Sequence, residues 1–448
     1  MVFSYNYLVR VFRIFSQSLP FVFGIFLLNL SPFINTLLTT QQRSEDLAFV
    51  GSVVLVFFFA ETFVNALSYG VQVYTARFDK PQDQYSLFFD AIAVVLGFNL
   101  LLYAVVVSCG QHLLDIVMTH FNLSSVHFAY VRVLTTTFLC NSLLLSLRGF
   151  FAGRKRGDLF FTIIALVVCL QLMFNYLFSS YWPTYPGLLR IGYAELAAKI
   201  LGMVYYCSHF IQSYRHDNPS VKPLKLTHVN TLLTFIAPLY IFGIFDHYAT
   251  VILYQVAAST LGSLGFSSLV FVFSVLGCFP GMGFGLAALT PVSHYFANKQ
   301  YSVAYNTALL FTWVGSFAVF FCSSLLMLYT PSLLGLLIGD NDLITHCIVP
   351  MRIMLATAGV HVACQVSLRC LQAVDQTRLC TAINLVVVYS CRLLLLAAFY
   401  SQNALQIHHF FLVLFFEKVA KMLWMQTYLY YHLRHLSREE LTTVGSTT

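Results

Sequence analysis

The feature that most constrains this chain is a succession of apolar runs, each long enough to cross a lipid bilayer and parted from the next by a short polar break. A hydrocarbon core about 30 Å thick takes roughly 20 consecutive apolar residues of helix. Inside it only helices and closed barrels satisfy every backbone polar group. Runs of this kind fall at about Phe12 to Leu38, Leu47 to Val73, Ser86 to Cys109, Val126 to Leu147, Leu159 to Tyr181 and Leu189 to Ser213. A second set falls at about Val229 to Gln255, Thr260 to Thr290, Ser302 to Tyr329, Thr345 to Leu371, Leu379 to Ser401 and Leu405 to Leu433. The chain is 59% hydrophobic and 9% charged, where soluble domains carry about 25% charged residues. The spacing predicts an all-α integral membrane protein of twelve transmembrane helices.

The excess of 24 Lys and Arg over 17 Asp and Glu, a net +7, has its cause in topology, not in nucleic-acid binding, because the basic residues sit in alternate loops. With the N-terminus inside, one side collects Arg10, Arg13, Arg77, Lys80, Arg154, Lys155, Arg156, Arg215, Lys222, Lys225, Lys299, Arg378, Arg434 and Arg438. The other holds little basic beyond Arg43 and Arg190 and collects the acids Glu45, Asp46, Asp115, Asp340 and Asp342. Loops rich in Lys and Arg stay in the cytoplasm, so both termini are expected there, in a plasma or bacterial inner membrane. The 11 cysteines show no CxxC pair and read as small buried hydrophobes. Arg10 and Arg13 precede a long apolar run with no small-residue cleavage site after it, so an uncleaved first helix is expected.

Between the two sets lies a polar stretch, His216 to His228, broken by Pro219 and Pro223. It divides the chain into an N-terminal six-helix lobe at 1–214, a cytoplasmic linker at 215–228, a C-terminal six-helix lobe at 229–433 and a cytoplasmic tail at 434–448. The lobes repeat one another. Pro20 and Gly24 match Pro238 and Gly243, while Gly70 and Tyr85 match Gly285 and Tyr301. Arg132 and Arg148 match Arg352 and Arg369. The offsets drift only between 215 (285 − 70) and 221 (369 − 148). Both copies start on the same side after six spans, so the pattern implies parallel repeats related by a pseudo-two-fold axis along the membrane normal.

The order of these motifs resembles the multidrug and toxic compound extrusion (MATE) family, within the wider multidrug/oligosaccharide-lipid/polysaccharide exporter superfamily. The resemblance rests on the Pro-bearing first helix of each lobe and on Val131-Arg132-Val133 with Met351-Arg352-Ile353. Leu147-Arg148-Gly149, Leu368-Arg369-Cys370 and the loop Leu371 to Arg378 extend it, and Asn175-Tyr176-Leu177 resembles the end of the family's fifth helix. The first lobe departs from the loop pattern, reading Gly153-Arg154-Lys155-Arg156-Gly157-Asp158.

Ionisable groups inside spans are costly and mark candidate function. Asp246 lies two turns after Pro238, where the resemblance implies a cation-coupling acid. Glu61 lies one turn before Asn65 on the same helix face. Fifteen residues after Pro20, where many family members carry an acid, stands Asn35. An amide can coordinate a cation but releases no proton, which moves the expected coupling site to the second lobe. His361 is a candidate cavity residue or a satisfied core histidine. Arg392 lies mid-helix with no local partner and is expected to pair across the lobe with an acid such as Asp246. Arg132 and Arg352 sit near helix ends and can snorkel. Glu195 with Lys199, and Glu417 with Lys421, are spaced to neutralise each other. Asn122-Leu123-Ser124 matches a glycosylation sequon.

No HExxH or GxSxG motif is present, so an enzyme is not expected. The reading is a monomeric secondary antiporter that exports amphipathic, cationic small molecules in exchange for H+ or Na+, with no other cofactor, no metal site and no nucleic-acid partner. The alternatives are a lipid-linked sugar or peptidoglycan-precursor flippase of the same superfamily, and a membrane scaffold without transport.

Overall fold

The computed structural model describes residues 5–40, 44–117, 125–219, 226–277, 281–337, 341–401 and 406–445. Every element among them is helical. In chain order they are α1 (Tyr5–Thr40), α2 (Ser44–Arg77), α3 (Pro81–Val117), α4 (Ser125–Gly153), α5 (Gly157–Tyr181) and α6 (Gly187–Asp217). They continue with α7 (Val229–Gly277), α8 (Gly281–Ala297), α9 (Tyr301–Leu328), the short α10 (Thr330–Leu337) and α11 (Asn341–Ala373). Next come α12 (Thr377–Val387), a π-helical turn (Val388–Leu393), α13 (Leu394–Ser401) and α14 (Ile407–Gly445). By length and composition, 8 helices among the described residues qualify to cross a membrane.

The largest boundary differences from the sequence expectation fall at the junction of the seventh and eighth spans and at the end of the last helix. The seventh span is expected to end near Gln255 and the eighth to run from Thr260 to Thr290, but α7 runs unbroken to Gly277 and α8 is Gly281–Ala297. Nothing at 256–260 stops a helix, for the stretch is Val-Ala-Ala-Ser-Thr. The two hydroxyls bond back into the helix, Ser259 Oγ and Thr260 Oγ1 both donating to the Val256 carbonyl at 2.9 and 2.7 Å. The tail beyond Leu433 was expected to leave the helix, yet α14 continues to Gly445, the first glycine after the span.

The chain forms two compact units. One is Leu27–Tyr240, and the other is Met1–Phe26 with Ile241–Thr448. The dividing points fall inside α1 and α7, a few residues past Pro20 and Pro238. A proline removes one intrahelical bond and favours a bend there.

In the first unit α4 is the central helix, packed on α2, α3 and α6. Its contact with α2 is set by glycine. A Cβ at Gly149 would overlap the Ser68 carbonyl oxygen, and one at Gly153 would lie 2.7 Å from the Gln72 carbonyl oxygen. This close approach lets Ser68 Oγ donate to the Leu145 carbonyl at 2.6 Å. At the end of the unit that carries the basic loops, Arg154 donates to Tyr85 at 2.9 Å and to Asp217 at 2.6 Å, and Tyr85 donates to Asp217 at 2.9 Å. Burial works against the Asp217 charge. The hydrogen bonds from His216, Tyr85 and Arg154 more than offset that, holding the carboxyl below the usual range.

In the second unit α11 takes the central place, packed on α8, α9 and α14. Its core side chains Met351, Met354 and Leu355 pack with Leu253, Phe410 and Phe411. Gln426 of α14 donates to Thr312 at 3.1 Å and to Ser367 at 2.7 Å, tying three helices together.

The repeat is visible in the backbone where the side chains have diverged. At the end of α4, Lys155 N donates to Ala152 O at 3.0 Å and Arg156 N to Phe151 O at 2.9 Å. At the end of α11, Asp375 N donates to Gln372 O at 3.3 Å and Gln376 N to Leu371 O at 3.0 Å. Lys155 and Asp375 take φ values of 63° and 61°. This is one Schellman-type turn built twice at an offset of 220 (375 − 155). The loop that departs from the family pattern in sequence therefore keeps its geometry.

Candidate functional site

The second unit carries a buried ionic network around Arg392. The residue sits in the π-turn that interrupts the α12–α13 helix, a distortion often found at functional sites. From there its guanidinium reaches two other helices. On α14, Nε donates to Glu417 Oε2 at 2.7 Å and Nη2 to Glu417 Oε1 at 3.1 Å. On α7, Nη2 donates to Asp246 Oδ1 at 3.0 Å, while Nη1 donates to Thr250 Oγ1 at 2.9 Å and to the Asp246 carbonyl at 3.4 Å. A guanidinium has five N–H groups, and all of them are spent. The fork on Glu417 is bidentate, the geometry for which Arg is suited.

Glu417 also takes Lys421 Nζ at 2.7 Å and lies 3.8 Å from Lys418 Nζ. Glu417, Lys421 and Arg392 have side chains 0%, 3% and 4% exposed, whereas Lys418 and Asp246 are 21% and 36% exposed. Lys421 Nζ also stands 5.6 Å from the Phe242 ring centre. Three cations, Arg392, Lys418 and Lys421, thus face two carboxylates, Asp246 and Glu417. His361 on α11 lies within electrostatic reach of Lys418, Lys421 and Glu417.

The first unit is built differently. Glu61 on α2 stands one turn before Asn65, with Lys199, Arg148 and Glu195 as the charges around it. Arg148 is buried at the end of α4. Its Nη2 donates to Asn65 Oδ1 at 3.4 Å and to Ser68 Oγ at 3.2 Å. Lys199 pairs with Glu195 at 2.6 Å. Glu61 itself is exposed and has no ion pair among the described residues. A carboxylate without a direct counter-charge is open to a cation in a way that Asp246 Oδ1, held by Arg392, is not.

The structure brings Arg392 to Asp246 and Glu61 to Asn65. Asn35 falls on α1, but its side chain lies outside the described residues, as does the sequon at Asn122. Arg132 and Arg352 are exposed. Arg148 and Arg369 are buried at equivalent helix ends, Arg369 donating to Gln372 at 2.8 Å. Glu417, Lys418 and Lys421 went unrecognised as parts of a site, because the i,i+4 spacing accounts for Glu417 and Lys421 without a third partner. A signal was nevertheless available. The Glu–Lys pair occurs twice, at 195/199 and 417/421, with one offset of 222 (417 − 195 and 421 − 199).

Comparison with known proteins bears on what carries this site. The family model MatE matches residues 20–177 and 248–397. The chain belongs to the MatE family. Among solved structures, a MATE transporter in its straight conformation aligns with TM-score 0.84 at 13% identity, covering 95% of this chain and 96% of that one. A MOP superfamily transporter from Pyrococcus furiosus aligns with TM-score 0.83 at 13% identity over 94% and 96% of the two chains. A MATE transporter from Vibrio cholerae gives 0.81 at 13% identity over 95% and 97%. No curated protein sequence matches the chain. The fold of the MatE family chain is therefore that of a membrane transporter with twelve transmembrane helices in two six-helix lobes, as expected from its apolar runs.

Proposed function

We propose that this MatE family protein is a secondary antiporter that exports amphipathic, cationic small molecules by alternating access, in exchange for H+ or Na+. The observation that carries the reading is Glu61. It is an exposed carboxylate in a membrane helix, one turn before an amide at Asn65 and free of a direct ion pair among the described residues. An intramembrane acid of this kind is a group that can bind a cation and release it. The sequence favoured Asp246 for this role. Its bond to Arg392 makes it the less open of the two acids, which moves the proposed exchange site to Glu61.

Everted vesicles with a pH or Na+ gradient and a fluorescent cationic dye test this directly. Glu61→Gln keeps volume and hydrogen bonding while removing the charge, and is expected to lower gradient-driven dye transport about tenfold or more, equivalent to ~1.4 kcal/mol, at unchanged protein level. Asp246→Asn is the parallel variant and reports on the second unit. Wild-type rates in both, with an unchanged gradient dependence, would rule out antiport through these acids. The same reading places both termini and the Pro219–Lys225 segment in the cytoplasm. A cysteine at Ser220, in a background without reactive native cysteines, is expected to resist membrane-impermeant maleimide in intact cells.

A flippase for lipid-linked sugar or peptidoglycan precursors is the second reading, favoured by one observation. Arg392, Lys418 and Lys421 lie together inside the second unit, where pyrophosphate cargo would need cations. The Pyrococcus furiosus neighbour is itself described as having a binding pocket of reversed polarity that suggests a different function.

A further inference from the structure

Where α9 begins and α14 leaves its apolar run, Tyr301, Ser302 and Tyr305 of α9 and Tyr430, Arg434 and Ser437 of α14 line a cavity of ≈200 Å³ inside the second unit. A drug-sized ligand takes about 300 Å³ or more, so the space suits one small polar group. The Tyr305 and Tyr430 rings have their centres 5.4 Å apart. Arg434 stands with its guanidinium carbon 5.4 Å from the Tyr430 ring centre and donates from Nη1 to the Tyr430 hydroxyl. That bond uses a small part of a guanidinium with five N–H groups. Among the described residues no carboxylate pairs with Arg434, and no hydrogen bond involves the hydroxyls of Tyr301, Ser302, Tyr305 or Ser437. The first unit is different at this end. Tyr85, the repeat counterpart of Tyr301, donates to Asp217, and Asp217 also takes Arg154. Arg438, one turn beyond Arg434 on α14 and likewise exposed, adds a second positive charge, and like charges at that spacing repel.

We infer that this cavity binds the phosphate of an anionic phospholipid. Arg434 pairs with the phosphate oxygens, and the tyrosine and serine hydroxyls donate to the phosphate or to hydroxyls of its headgroup. The place of the cavity selects a lipid over a soluble phosphate. Tyr301 and Ser302 open the apolar run of α9, while Leu433 and Arg434 close that of α14, which sets the cavity at the edge of the hydrocarbon, the level of lipid phosphates. Aromatic and basic side chains belong at that level, and basic pockets between membrane helices take anionic headgroups. The lining offers a guanidinium and no carboxylate, so a headgroup bearing only hydroxyls gains more than one that carries its own ammonium. Such a lipid is a resident ligand and not cargo, so the inference stands apart from the antiport reading.

The purified full chain in detergent micelles is titrated with phosphatidylglycerol, phosphatidylcholine or inorganic phosphate, and the shift of the thermal midpoint is read alongside the lipid retained in native mass spectrometry. Phosphatidylglycerol is expected to raise the midpoint saturably, phosphatidylcholine to act far more weakly, and inorganic phosphate to leave the midpoint unchanged. Arg434→Gln is expected to weaken phosphatidylglycerol about tenfold or more, and Arg434→Lys to fall between, because an ammonium keeps the charge without the fork. Lys155→Gln removes an equal charge from the exposed basic loop of the first unit and is expected to leave the affinity within about twofold, as salt screens distant charges. Four results would overturn the site: an equal effect of phosphatidylcholine, unchanged phosphatidylglycerol binding in a monodisperse Arg434→Gln protein, an equal loss in Lys155→Gln, or saturation by inorganic phosphate alone. The third would reduce the attraction to net charge, and the fourth would make the ligand a soluble anion. Failure of Glu61→Gln to alter dye transport would leave these binding results standing, so the two readings fail separately.

Discussion

Arg392→Met is expected to destabilise the purified protein by about 3–5 kcal/mol, the range for breaking a buried ion pair on one side. Glu417 loses both arms of its fork while remaining fully buried, and Asp246 and Thr250 lose their donor. The charge sum does not cause the loss. After the substitution two cations, Lys418 and Lys421, would balance two acids, so neutrality improves while hydrogen bonding fails. Arg392→Lys should fall between the two, because three donors from one point cannot hold Glu417 twice and reach α7 as well. Thermal unfolding in detergent reads the series, and a midpoint unchanged in Arg392→Met would show that the network adds nothing to stability.

Gly149→Ala is expected to cost about 1–3 kcal/mol, as overpacking of a tight contact does, and to reduce the yield of monodisperse protein. The added carbon overlaps a backbone carbonyl at Ser68, which cannot swing aside, so α2 and α4 must part. Parting them also strains the Ser68–Leu145 bond and the Arg148–Ser68 bond behind it. Gly285→Ala in the second unit is the comparison. Its new carbon comes 2.8 Å from Arg369 Cγ, a movable side chain, and 3.1 Å from the Gln365 carbonyl oxygen. The loss there should be smaller. Equal midpoints for the two variants would refute the claim that the Gly149 contact is the tighter.

Much of this was legible before any coordinates, because bilayer physics leaves a chain few choices. Span count and the two-lobe plan follow from apolar length. The Arg392–Asp246 pair was legible too, since an unpaired guanidinium cannot remain alone at that depth and Asp246 is an acid one lobe can offer. What could not be read was the third member. Glu417 has a satisfactory partner in Lys421 one turn away, and local spacing gives no reason to look for another. The unbroken run of α7 past Gln255 was hidden for the opposite reason, since hydroxyl-bearing residues suit a helix or a turn equally until their bonds are seen. The turn at 151–156 looked foreign beside 371–376 because its side chains differ, although every bond that shapes it is made by the backbone.

The π-turn at Val388–Leu393 has a meaning for the history of the chain. Such a turn is a helix with one residue more than its neighbours require, and everything beyond it is rotated by about 100°. Between the matched turns and the next matched pair the copies shift by two residues, from an offset of 220 at Lys155 and Asp375 to 222 at Glu195 and Glu417. One added residue at the turn accounts for one of those two steps. In the first copy the position 221 residues before Arg392 is Gln171, buried and uncharged. A duplicated gene can thus give its halves different tasks without redrawing a loop or a packing surface, by changing the phase of a single helix.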